Sequence, residues 1–547
     1  MKISRRTLLK QGAIATAMLQ ARGLSAGPLL SGRSIAPGPF QATWESLRHY
    51  QTPEWFRDAK FGIWAHWSAQ CVPEAGDWYA RQMYIQGDGQ YEHHLKHYGH
   101  PSQTGFMEID NLWKAEEWNP HALMDLYVKA GAKYFMSLAN HHDNFDCYDS
   151  RYHPWNSLRI GPKKDIVGTW AGIAREHGLR FGVSNHSAHS WHWFQTAYGY
   201  DPEGPLAGVR YDAYRLTKED GKGKWWDGLD PQDLYNKPCM VMPQGIKTIA
   251  EAKAWHEAND RKWNEDPPQG NSAFVEKWFL RCQDLLDKYD PDMIYFDNYG
   301  LPLGQAGLDI TAHFYNSNIH RCGKLEAAVF AKNLKPHEVG ATVLDIERGR
   351  ASGILSSPWQ TDTCIGSWHY DRSIYERHKY KTAQLVVQQL ADIVSKNGNL
   401  LLSIPLRGSG AIDEDEHTFL LNLASWMQVN GEAIHGTRPF FVYGEGLPDI
   451  KTSSDFNESS GRPYTAEDIR FTTKGSTLFA IALGWPQSDL LTIKTLTSDR
   501  PEYPCTVERV ELLGCDGSLP FTQDARGLTI HMPSHKPNEY AYVFRIR

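Results

Sequence analysis

Between about residue 60 and residue 406, eight apolar, strand-like runs are separated by stretches of helical periodicity, and this alternation constrains the fold most. The runs are Phe61–Ala65, Tyr134–Leu138, Leu179–Val183, Met293–Phe296, Ala327–Phe330, Thr342–Ile346, the weaker Ser356–Thr361, and Leu400–Ile404. Runs without polar alternation suit strands buried on both faces, as in a parallel sheet covered by helices. Eight in succession predict an α/β fold of the TIM type, a (β/α)8 barrel. The helices between them carry proper punctuation. Asn119-Pro120 opens one that stops at Gly131, and another runs from Asp165 to His177 and stops at Gly178.

Around this barrel the chain divides into parts. Residues 1–26 read as a signal: Ser4-Arg5-Arg6-Thr7-Leu8-Leu9-Lys10, an apolar stretch from Gly12 to Leu19, then Ser25-Ala26-Gly27. This matches a twin-arginine export peptide and predicts a periplasmic or secreted protein. No segment approaches the roughly 20 apolar residues of a membrane span. The barrel is assigned to 27–436, interrupted at about 198–270 by an irregular insertion rich in Gly, Pro, Trp and charge. Following the third strand, it either shapes a cleft at the barrel mouth or decorates the surface. Residues 437–547 hold short β-favouring runs such as Ile469–Thr472, Leu478–Leu483, Thr506–Val510 and Tyr540–Arg545, which predict a C-terminal β-sandwich that supports the barrel.

Charges of both signs are scattered and the net charge is −7, so no basic stripe suits nucleic acid. The 20 tryptophans offer flat faces for sugar rings and equally well serve as core filler. Eight cysteines show no C-x-x-C or zinc-ribbon spacing, which predicts that most are buried thiols, with Cys505 and Cys515 the one pair to consider for a bridge.

Chemistry concentrates at the strand ends. Asp297 closes the fourth run before Gly300, where a barrel presents its catalytic groups, although a turn-stabilising Asp fits the same local pattern. His66 follows the first run, His141-His142-Asp143 the second, Asn185-His186 the third, Glu347 the sixth, and Trp368-His369-Tyr370 lies beyond the seventh. Two carboxylates among imidazoles and indoles are what glycoside hydrolysis requires, one to attack the anomeric carbon or activate water, the other to protonate the leaving oxygen.

These residues sit in ordered motifs: Lys60-Phe61-Gly62-Ile63-Trp64-Ala65-His66-Trp67, Asp77-Trp78-Tyr79, His141-His142-Asp143-Asn144-Phe145, Tyr295-Phe296-Asp297, and Val394 to Leu402. From about Trp44 onward the chain resembles the α-L-fucosidases of glycoside hydrolase family 29. The resemblance implies a barrel followed by a sandwich, no metal or other cofactor, and retention of anomeric configuration. It implies Asp297 as the nucleophile and His66, Trp78, His141 and His142 as sugar-binding residues; Trp64, Asn185, Tyr295 and Trp368, at or near the same strand ends, are expected to complete the substrate pocket. For the acid/base, Glu347 is favoured over Glu338 and over Glu326, which precedes its strand. Arg348 is open between a structural charge and a sugar donor.

Departures from the family pattern keep alternatives open. Ser184-Asn185-His186 replaces a Tyr pair, and Trp64, Asn298 and Trp368 stand where the family places an apolar pocket for the sugar C6 methyl. Asn298 and His369 could accept a hydroxyl there, which makes an L-galactose-containing glycan, cleaved by an α-L-galactosidase, the alternative to a fucosylated one. A metallohydrolase built on His141, His142, Asp143, His186, His189 and His192 and an inactive carbohydrate-binding protein are the readings of other classes. Against the first, neighbouring strand residues point to opposite faces.

Overall fold

In the computed structural model the described residues are 33–447, 453–459, 462–499 and 506–547. The signal motif and Cys505 lie outside them, and Cys515 is a free thiol. Residues 36–547 form one compact unit.

Eight parallel strands close into a barrel in chain order: β1 Phe61–Ala65, β2 Tyr134–Asn140, β3 Arg180–Asn185, β4 Met293–Tyr299, β5 Ala328–Lys332, β6 Val343–Asp345, β7 Trp359–Cys364 and β8 Gly398–Ser403. Each predicted run lands on one of these strands, because continuous apolar sequence has no face it can leave in water. Helix Pro120–Lys129 is capped by Asn119, whose side chain accepts from the Ala122 amide, and helix Ile166–Glu176 is capped by Asp165.

The barrel departs from a full set of eight helices. No helix lies in residues 333–342, between β5 and β6, or in residues 346–358, between β6 and β7. The stretch after β6 is covered instead by residues 453–459 of the C-terminal part. The Phe456 amide donates to the Glu347 carbonyl at 2.8 Å and that of Glu458 to the Arg348 carbonyl at 3.0 Å.

The C-terminal part has two antiparallel sheets. One is five-stranded, in the order β13 (Val510–Leu512), β16 (Tyr542–Ile546), β11 (Thr477–Ala482), β10 (Ile469–Lys474), β9 (Arg438–Glu445). The other is β12 (Leu490–Ile493), β15 (Gly527–His531), β14 (Phe521–Asp524). The predicted run Thr506–Val510 becomes a strand only from Val510 onward. Phe471, Leu478, Ile493, Val510, Leu528, Ile530 and Phe544 fill the core between the sheets. Buried Arg470 of β10 reaches into the barrel unit and pairs with Asp392 of helix Ala383–Ser395 at 2.6 Å, while Lys396 holds the other oxygen of Asp392 at 2.7 Å. Two cations outweigh the burial of this carboxyl and pull it down to about 2.

Candidate active site

A cavity of about 290 Å³ opens at the C-terminal end of the barrel strands, the size expected for a small-ligand site. Its lining includes Trp64, His66, Trp78, His141, Tyr295, Asp297, Glu347 and Trp368. The β4–β5 pairing shifts register between Tyr295 and Tyr299. An irregularity of that kind re-aims a side chain, and here it spans Asp297.

Asp297 and Glu347 meet on one cation. The buried Lys332 ammonium, at the end of β5, donates to Asp297 Oδ1 and to Glu347 Oε2, the latter at 2.6 Å. The nearest oxygens of the two carboxyls therefore lie no farther apart than these two contacts end to end, about 5 Å. His142 Nε2 and His186 Nδ1 each lie 3.2 Å from Asp297 Oδ2. Burial opposes charge on Asp297, but Lys332 and the two imidazoles outweigh it and hold the carboxyl well below its ordinary range. Glu347 moves the other way: burial and the Asp297 charge raise it against the pull of Lys332. Lys332 itself stays firmly protonated, since its two carboxylate partners overcome its burial.

The remaining lining follows from loop geometry. Trp78 adopts a left-handed backbone (φ 64°), and its neighbour Asp77 accepts from the amides of Trp368 and His369 at 3.1 and 2.6 Å, so the two tryptophan loops are tied together. His141 is held by the Gln70 amide at 2.9 Å, and His142 Nδ1 donates to the His186 carbonyl at 2.7 Å. Burial drives His66 and His141 well below the usual histidine range and His186 down to about 4, which leaves neutral rings able to meet hydroxyls. Both ring nitrogens of His66 and the indole nitrogen of Trp64 have no protein partner.

Several sequence expectations are relocated. Asn185 does not line the cavity; its carbonyl accepts from Ser187 and Trp278 and its amide faces Cys282 Sγ, because the chain turns away after β3. Asn298 is drawn off by Glu265 at 2.5 Å and His189 at 2.8 Å, and buried His369 lies between Asp77 and Ser68. Arg348 is a structural charge, paired with Glu458 at 2.8 Å. Glu326 pairs with Arg180 and Lys324 at the opposite end of the barrel, and Glu338 caps the turn at Lys335. His141, His142 and His186 bring ligand nitrogens within 4.8 Å of one another, as do His66, His141 and His369. Strand alternation does not separate His141 from His142, because β2 ends at Asn140. These clusters could hold a metal, although His142 Nδ1 is spent on a carbonyl.

Other lining residues escaped the sequence reading: Lys332, Asp362, Tyr299, Arg261, Trp263 and Phe456. Extending the fifth run by two residues would have exposed Lys332. The insertion reaches the cavity, so the cleft-shaping alternative holds. Asp260 is stapled to Arg81 at 2.6 Å and to His256 at 2.8 Å, and the Trp263 ring stacks on His189 at 3.8 Å. Burial pushes the Asp345 carboxyl up to about 7, and burial together with the neighbouring Asp345 and Glu347 charges raises Asp362 well above the usual carboxylate range.

Residues 29–432 match the model of the family described as alpha-L-fucosidase, and residues 462–547 that of the alpha-L-fucosidase C-terminal domain. The chain belongs to the α-L-fucosidase family. It is a glycosidase of glycoside hydrolase family 29. The human tissue α-L-fucosidase is 24% identical over 529 residues, covering 94% of this chain and 93% of that protein. The rat enzyme is 23% identical over 515 residues, covering 92% and 91%. The crystal structure of the Thermotoga maritima α-fucosidase superposes with a TM-score of 0.66 at 24% identity, covering 93% of this chain and all of that one, which agrees with a barrel followed by β-sheets.

Proposed function

We propose that this protein is a retaining exo-α-L-fucosidase, with Asp297 as nucleophile and Glu347 as acid/base. The single observation that carries this reading is the pair of carboxyls held on Lys332 with their nearest oxygens no more than about 5 Å apart. Retaining glycosidases space their carboxyls at about 5 to 5.5 Å, whereas inverting ones leave room for a water. The two groups are also tuned apart, one kept ionised and the other raised, which is how an acid and a nucleophile are told apart. Asp297 attacks the anomeric carbon while Glu347 protonates the departing oxygen. Glu347 then takes a proton from the water that attacks the glycosyl-enzyme ester and frees Asp297. His66, His141 and Trp78 grip the ring hydroxyls, His142, outside the lining and engaged by the His186 carbonyl and Asp297, positions the nucleophile instead of the sugar, and Trp64, Tyr295 and Trp368 enclose the rest of a fucose unit taken from a fucosylated glycan.

A second reading, α-L-galactose as the sugar, is favoured by Asp362. With Asn298 and His369 engaged elsewhere, it is the lining carboxyl besides Asp297 and Glu347 that could take an extra hydroxyl. Turnover of aryl α-L-fucoside against aryl α-L-galactoside decides between the two. NMR of the first-formed sugar tests retention, because an initial β-anomer contradicts a carboxylate nucleophile. We also propose export by the twin-arginine route. Replacing Arg5 and Arg6 by lysines should trap activity in the cytoplasm, and unchanged fractionation would refute it.

A further inference from the structure

The C-terminal part contributes an aromatic ring to the cavity rim, and the way it is built exceeds what support requires. Phe456 lines the cavity although it is 59% exposed, a costly placement for a large apolar side chain. Its backbone sits at φ 56°, a left-handed conformation that bulky residues rarely adopt. Such strain persists only where the surroundings impose it, and it gathers at functional sites.

The surroundings do impose it. The amide of Phe456 donates to the carbonyl of Glu347 at 2.8 Å, and the Asp455 carboxylate accepts from the Glu347 amide at 2.9 Å. Two residues on, Glu458 accepts from Arg348 at 2.8 Å, from Lys381 at 2.7 Å and from Thr363 at 2.7 Å. Asn457 accepts from the Arg350 amide at 2.8 Å. The segment is thus clamped on the main chain of the acid/base residue itself. The ring and the Glu347 side chain line the same cavity from adjoining backbone. Tyr299, 40% exposed, lines the same cavity.

We infer that Phe456 is a platform for the leaving-group sugar, stacking on the apolar face of the pyranose to which the released sugar is attached. This rests on the proposed glycosidase reading and deepens it: the substrate is an oligosaccharide gripped on both sides of the scissile bond. A tenfold loss in kcat/KM on removing the ring corresponds to about 1.4 kcal/mol.

The test compares α-L-fucosyl fluoride, whose leaving group has no ring, with the α-L-fucosyl disaccharide, to galactose or N-acetylglucosamine, that the wild-type protein cleaves fastest. In Phe456→Ala the ratio of disaccharide to fluoride kcat/KM should fall about tenfold, and Phe456→Trp should restore it. Phe456→Gly should lose the ratio equally while raising the melting temperature, because glycine accepts the left-handed backbone; a merely structural phenylalanine would not give that combination. An unchanged ratio, or a wild-type protein that cleaves the fluoride and no disaccharide, overturns the inference and leaves the glycosidase reading intact. Failure on fluoride and disaccharides alike overturns both.

Discussion

Replacing Lys332 with methionine should move the alkaline limb of the pH–rate profile upward by about 2 units. In the native site one ammonium lies against both carboxyls, the Glu347 contact being 2.6 Å. Two carboxylates no more than about 5 Å apart repel by at least about 3 kcal/mol at an effective dielectric near 20, and without the ammonium nothing offsets that repulsion, which is about 2 pKa units. Asp297 keeps the two imidazoles at 3.2 Å and ionises first, so the penalty falls on Glu347. Its carboxyl is already raised by burial and by the Asp297 charge, and losing Lys332 removes the influence that lowers it. The protonated acid then survives to higher pH. The limbs of kcat/KM report the free enzyme and belong to the pair as a whole. The assay is kcat/KM for an aryl fucoside across pH, with Lys332→Arg as control, since a guanidinium keeps the charge and the limb in place. A methionine variant with lower activity and an unshifted alkaline limb would show that Lys332 does not set the ionisation of Glu347.

Asp297→Gly should lower kcat by at least about a thousandfold while the protein stays folded, and azide should yield a glycosyl azide of inverted configuration; near-normal turnover removes Asp297 from the nucleophile role. Glu347→Ala should harm poor leaving groups most and spare activated aryl glycosides at the first step, and equal loss on all substrates, measured by pre-steady-state kinetics, would move the role to another carboxylate. Asp392→Asn strips the partner from buried Arg470 and Lys396 and should cost about 3 to 5 kcal/mol in denaturant unfolding. The same carboxyl gives an acid limb of stability. Its folded value, about 2, lies below its unfolded one, so its contribution is complete above about pH 4 and is lost as pH falls through 2; a stability flat across that window contradicts the pairing.

The barrel was legible in the sequence because burial on both faces leaves a continuous apolar signature at every strand, and a strand's C-terminal end is a position that can be read without knowing its neighbours. That is why Asp297, His66, His141, Glu347 and Trp368 could be placed at one mouth from sequence alone. Asn185 and Asn298 were misjudged for the complementary reason: proximity along the chain to a strand end does not say which way a side chain turns once Cys282, Trp278, Glu265 and His189 compete for it. The left-handed backbone of Trp78, the clamp of 453–459 on Glu347 and the reach of Trp263 from the insertion join segments tens to hundreds of residues apart, and no local periodicity encodes them. Lys332 sits between both cases, since its position was readable but its role was not. A lysine becomes the shared cation of two carboxylates only when closure of the barrel brings β4, β5 and the residue beyond β6 around one point and excludes the water that would otherwise screen them.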